Sequence, residues 1–141
     1  MDKKIIITIP HYNNPVGLIN TISSINDPIK IDIVITDDGS EIKLDEHQVR
    51  SKYNNKGNIH FIYLDKNYGV GIAANKCLEY VKNKSYKYVA RLDAGDISYK
   101  NKFSKQIEFL EKNNQIMLVG TWARVLDLSL IHIWRCRRGW W

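Results

Sequence analysis

Over residues 1–127 this chain alternates short apolar runs with segments of helical periodicity, joined by short polar connections. That order restricts the fold to a parallel sheet covered by helices on both faces, because parallel strands need crossover connections and crossover helices pack back onto the sheet. Residues 4–9 form an isoleucine-rich run suited to a central parallel strand, which has no wet face. Asn14-Pro15 then opens a helix, with Asn14 able to cap it and proline at the first helical position losing no needed N–H. Leu18, Ile22 and Ile25 supply its buried stripe, with Ile19 alongside. Residues 31–36 read as a second strand, 44–53 as a polar helix and 59–64 as a third strand. In 69–81 the apolar positions Val70, Ala74, Cys77, Leu78 and Val81 fall at helical spacing. Residues 86–92 read as a fourth strand, and 101–113 as a helix burying Phe103, Ile107 and Leu110. Residues 116–120 read as the start of a fifth strand.

In an open parallel sheet, ligands bind beyond the carboxyl ends of the strands. Four such ends carry unusual residues here: Pro10-His11-Tyr12-Asn13-Asn14, Asp37-Asp38-Gly39-Ser40, Asn67-Tyr68-Gly69 and Asp93-Ala94-Gly95-Asp96. Together they set an aromatic face, amides and several carboxylates on one rim. Crowded carboxylates repel unless a cation joins them, and a hard Mg²⁺ or Mn²⁺ with oxygen ligands and a ligand's phosphates is the natural partner. His11 has no His or Cys partner at metal-ligand spacing.

These segments resemble the family 2 glycosyltransferases. Pro10-His11-Tyr12-Asn13 looks like that family's opening motif and Thr36-Asp37-Asp38-Gly39-Ser40 like its second-strand motif. Asn67-x-Gly69-x-x-x-Ala73-x-Asn75 is similar to its helix opening after the third strand, and Arg91-Leu92-Asp93-Ala94-Gly95-Asp96 sits where the family carries its metal-binding acidic motif. Each motif alone is weak, but four in order at strand ends are specific. The resemblance covers nearly all of residues 4–127 and implies a Rossmann-like GT-A fold, incomplete at the carboxyl end. It also implies transfer of a sugar, with inversion, from a nucleoside diphosphate sugar to a glycan or lipid-linked acceptor in cell-surface polysaccharide synthesis. By position, Pro10 and Tyr12 would line the nucleobase pocket and Asp38 would accept a hydrogen bond from the base, while Asp37 braces the turn. Asn67 and Arg91 would meet ribose, sugar or diphosphate; Asp93 would face ribose and metal, and Asp96 would reach the metal directly or through water. Many members carry an acidic residue two positions after the first aspartate, where this chain has Gly95. The family's catalytic base lies in a later segment that has no counterpart here, so the expectation is donor binding without turnover.

Two other readings compete. Gly69-Val70-Gly71-Ile72-Ala73-Ala74 matches the Gly-x-Gly-x-x-Ala of dinucleotide-binding domains, with Asp93 near the spacing of a ribose-binding acid. Against it, Asp65-Lys66-Asn67-Tyr68 intervenes after the strand, and the fingerprint normally follows the first strand. The third reading is a non-catalytic nucleotide-binding fragment.

The formal charge of +6 at pH 7 is partly a matter of the last residues. Without residues 128–141, which hold three arginines and no acid, the excess falls to +3, and the remaining lysines form no stripe. No nucleic-acid signature is present; mild surface solvation, or attraction to an anionic substrate or to an anionic membrane face, accounts for the excess. Two cysteines, Cys77 and Cys136, make no disulfide framework, no apolar run approaches the roughly 18 residues of a membrane span, and a cytoplasmic protein is expected. Residues 128–141 break with what precedes them: they hold three of the four tryptophans, and Leu128-Ser129-Leu130-Ile131-His132-Ile133 resembles translated adaptor, being what a transposase mosaic end, CTG TCT CTT ATA CAC ATC, encodes. They are read as a non-native tail, after a nucleotide-sugar-binding part spanning 1–127; the alternative is a genuine amphipathic tail touching a membrane, since Trp and Arg together suit an interface. Reading the locus from an independent library is expected to replace this tail with a different continuation after Asp127; an identical tail inside a longer frame would refute the adaptor origin.

Overall fold

Strand β1 (Ile5–His11) is buried at every position because it lies inside the sheet with helices on both sides. The computed structural model describes residues 5–124. The expected non-native tail and Cys136 lie outside the described residues. After β1 come α1 (Pro15–Ser24), β2 (Asp32–Asp37), α2 (Glu46–Ser51), β3 (Ile59–Tyr63), α3 (Val70–Lys82), β4 (Tyr88–Arg91) and α4 (Lys102–Lys112). The strands form one sheet in the order β3-β2-β1-β4, and every pairing is parallel.

Alternation along the strands divides the interior in two. Ile5, Ile7 and Ile9 of β1 and Ile33 and Ile35 of β2 pack with Leu18 and Ile22 of α1, Val49 of α2, and Phe103 and Ile107 of α4. Ile6 and Val34 face the other way, against Cys77 and Val81 of α3. Each of these aliphatic side chains contributes roughly 1.5–3 kcal/mol when fully buried. The polar members of the buried strands are paired: Thr8 Oγ1 donates to the carbonyl of Ala90 at 3.2 Å, and Thr36 Oγ1 lies 3.1 Å from Cys77 Sγ. Burial pushes the Cys77 thiol above its ordinary pKa, as expected of a packed core cysteine.

Helix α1 starts as expected, with Asn14 Oδ1 accepting from the amide of Gly17 at 3.0 Å and Pro15 at the first turn. Helix α4 starts differently. Its own cap residue, Asn101, makes no side-chain cap; Asp27, from the connection between α1 and β2, accepts from the amides of Phe103 (2.9 Å) and Ser104 (3.1 Å) instead.

Two expectations are corrected. The buried stripe of α3 is Ala73, Cys77 and Val81, while Val70 and Leu78 are exposed. A row of i, i+4 positions covers the sheet, and the Val70–Ala74–Leu78 row is turned off it. The fifth strand is not formed: among the described residues the sheet has four strands, and Met117 and Leu118 are 91% and 88% exposed. A strand needs a neighbour to complete its ladder, and 116–120 has none among the described residues.

The turn after β2 depends on one glycine. Gly39 has φ +69°, and a Cβ there would lie 2.2 Å from the carbonyl carbon of Lys66, so both backbone strain and a clash with main chain oppose any side chain. Gly39→Ala is expected to destabilise the protein by about 2–3 kcal/mol, read from the urea unfolding midpoint; an unchanged midpoint would show that the two loops do not pack this way.

Candidate functional site at the carboxyl edge of the sheet

The carboxyl ends of β1 and β2 are held together by two adjacent buried carboxylates with different partners. Asp37 Oδ2 lies 2.8 Å from His11 Nδ1, and Asp37 Oδ1 accepts from the amide of Ser40 at 2.8 Å. His11 Nε2 accepts from the amide of Asn14 at 3.2 Å, so the ring hydrogen sits on Nδ1 and is donated to Asp37. Asp37 thus braces the turn, as expected, and both ring nitrogens of the buried His11 are engaged within the chain. Asn13 adds a second tie: its amide donates to Ser40 Oγ at 2.8 Å and its Oδ1 accepts from the amide of Glu41 at 2.9 Å.

Asp38 turns to the segment before α3. Its two oxygens accept from the amides of Tyr68 (2.9 Å) and Gly69 (2.8 Å), and the residue is 2% exposed. Each carboxylate oxygen keeps a further lone pair. Asn67 Oδ1 also accepts from the Gly69 amide, at 3.1 Å.

This lacing leaves a cleft of about 180 Å³ lined by Pro10, Tyr12, Asp38, Asn67, Val70 and Ala73, with His11 and Gly69. Pro10, Tyr12, Asp38 and Asn67 were expected at one site, and the structure brings all four to this cleft. Val70 and Ala73 also line it; helical spacing alone gave no sign that Val70 faces the cleft. The space is below the roughly 300 Å³ of a drug-sized pocket, so it fits one ring-sized part of a larger ligand. Tyr12 is 45% exposed. A larger cleft of about 310 Å³ lies beside α4, among Tyr99, Lys102, Phe109 and Trp122; none of the residues expected to bind substrate or metal lines it.

Arg91, Asp93 and Asp96 do not line the cleft. Arg91 ends β4 and its Nε donates to Asp93 Oδ1 at 3.0 Å, with both side chains more than half exposed; such a pair is weak in water and either member is free to change partner. Asp93 and Asp96 share one tight turn, closed by the Asp96 amide donating to the Asp93 carbonyl at 3.0 Å. That loop adjoins the β1–α1 junction, where Asn14 Nδ2 donates to the Ala94 carbonyl at 3.3 Å. Among the described residues, no three His, Cys, Asp or Glu side chains gather as a metal cage. Asp93 and Asp96 are both exposed on one turn, and Mg²⁺ is commonly bound by one or two carboxylates with water and phosphate oxygens as its other ligands.

The dinucleotide reading finds no support in this geometry. Leu64 to Gly69 separate β3 from α3, where the fingerprint turns directly from strand into helix. No helix among the described residues is long and apolar enough to cross a membrane.

Comparisons with known proteins agree with the fold. An uncharacterized glycosyltransferase of Methanocaldococcus jannaschii is 30% identical over 133 residues, 90% of this chain and 44% of that protein. The putative teichuronic acid biosynthesis glycosyltransferase TuaG of Bacillus subtilis is 34% identical over 104 residues, 72% of this chain and 39% of that one. The curated relatives are longer: the chain spans between 14% and 44% of their length. TarS of S. aureus, solved as residues 1–349 with UDP, superposes with a TM-score of 0.66 at 22% identity, over 79% of this chain and 33% of that one. With UDP-GlcNAc the values are 0.61 and 24%, over 79% and 32%. These likenesses show the GT-A fold. The family model for glycosyl transferase family 2 matches residues 6–133, nearly the whole chain, and the protein belongs to that family.

Proposed function

We propose that the cleft and the adjoining acidic loop bind a nucleoside diphosphate sugar together with Mg²⁺ or Mn²⁺. The whole protein would pass the sugar, with inversion, to a hydroxyl of a surface glycan or a lipid-linked sugar. The observation that carries this reading is the meeting of Pro10, Tyr12, Asp38 and Asn67, from separate segments, in one ring-sized cleft, with the acidic loop tied to the β1–α1 junction through Asn14. The UDP and UDP-GlcNAc complexes of TarS support a nucleotide sugar as donor. Relatives named for teichuronic acid and amylovoran biosynthesis support a polysaccharide product.

The residues divide the work by chemistry. Tyr12 offers an exposed aromatic face for the base, and Pro10 borders it through its backbone. Asp38, already fixed by two amides, has lone pairs left for a base N–H, so its position costs nothing to organise when the ligand arrives. Asn67 stands at the cleft rim for ribose or diphosphate. Asp93 and Asp96 would hold the cation, whose chemistry is to neutralise charge on the departing diphosphate. Arg91 places a guanidinium beside them, suited to the same phosphates. No described residue is assigned the acceptor base, so donor binding is the part of the reaction given to this chain. Association with an anionic membrane face, where a lipid-linked acceptor would lie, is part of the same proposal.

Calorimetry with UDP, with and without Mn²⁺, tests the reading. Mn²⁺ is expected to tighten UDP binding, Asp93→Asn to remove that gain, and Tyr12→Ala to weaken binding about tenfold through lost stacking. Thermal stabilisation by NAD but not by UDP with Mn²⁺ would reverse the assignment.

A further inference from the structure

Helix α1 carries a polar stripe inside its apolar face. Thr21 is fully buried between Leu18, Ile22 and Ile25, and Thr21 and Ser24 share one side of the helix at i, i+3 spacing. Both hydroxyls are engaged by the loop that follows β4. Thr21 Oγ1 accepts from the amide of Gly95 at 2.9 Å while donating back to the Gly17 carbonyl at 3.0 Å. Ser24 Oγ accepts from the amide of Ser98 at 2.9 Å while donating to the Thr21 carbonyl at 2.7 Å. With Asn14 on the Ala94 carbonyl, three side chains of the α1 segment grip the main chain at Ala94, Gly95 and Ser98. The two aspartates make none of these bonds through their side chains.

Besides the turn's own bond from the Asp96 amide to the Asp93 carbonyl and the exposed Arg91–Asp93 pair, these grips hold the main chain of the acidic loop. Gripping the main chain from below fixes the turn without using an oxygen that a ligand needs. We infer that Thr21 and Ser24 are positioning residues for the acidic loop, setting Asp93 and Asp96 for a cation shared with a nucleoside diphosphate. This assignment rests on the donor-binding reading above. It places part of the cation-binding apparatus on a helix that contributes no ligand of its own, as outer partners commonly support metal ligands.

The test uses the 141-residue chain, with Thr21→Val, Thr21→Ser and Ser24→Ala. Two quantities are measured: amide hydrogen exchange at Gly95 and Ser98, and UDP affinity with and without Mn²⁺. Thr21→Val is expected to deprotect the Gly95 amide and cut the Mn²⁺-dependent gain in UDP affinity about tenfold, the lower end for loss of an outer partner, with metal-free UDP affinity unchanged. Thr21→Ser restores both, because it keeps the hydroxyl. If Thr21→Val does not fold, Ser24→Ala, read at Ser98, is expected to show the same loss. A normal Mn²⁺ response in a folded Thr21→Val or Ser24→Ala chain with its loop amide deprotected overturns the positioning role alone. A wild-type chain whose UDP affinity ignores Mn²⁺ overturns the metal reading, and the positioning role with it.

Discussion

Two neighbouring carboxylates, Asp37 and Asp38, organise the working edge of this protein. Both are nearly inaccessible to water, where an unpaired charge would cost several kcal/mol, and each is instead given two partners within 3 Å. They face opposite ways. One ties β2 back to β1 through His11; the other ties it forward to the amides that introduce α3. Strand ends that would otherwise splay into independent loops become one wall, and the cleft is the space this wall leaves. Backbone pairings reinforce it: the Asp38 amide donates to the His11 carbonyl at 2.8 Å and the Leu64 amide to the Asp37 carbonyl at 2.9 Å.

The larger features of this architecture can be read from the residues because they follow from periodicity. An isoleucine-rich run with no polar alternation has to be a strand buried on both faces, and β1 is one. Asn14-Pro15 marks the start of α1 for a local reason that needs no tertiary context. What is harder to see depends on contacts across the fold. The rotation of α3 about its axis cannot be settled when Ala73, Ala74, Cys77 and Leu78 offer two apolar rows, and only contact with β1 and β2 selects one. The run at 116–120 has the composition of a strand, yet composition supplies no neighbour.

The same division holds at the candidate site. Pro10, Tyr12, Asp38 and Asn67 were marked by their place at strand ends, which the rule for open parallel sheets converts into proximity. His11 stands beside them in sequence, but its buried pairing with Asp37 has no sequence signal beyond adjacency to the motif. Thr21 and Ser24 are still less visible, since hydroxyls within a helix are ordinarily satisfied by the preceding turn; here that turn receives their hydrogens and leaves their lone pairs for another loop.

The cap that Asp27 provides for α4 has a consequence for how the chain assembles. Its partner at Phe103 lies 76 residues downstream, so the helix start is stabilised by a contact of long sequence separation, which is slow to form in a free chain. During synthesis, however, the amino-terminal portion emerges first. The carboxylate is then already waiting when α4 leaves the ribosome, and a step that is slow in refolding from denaturant becomes a docking event in biosynthesis.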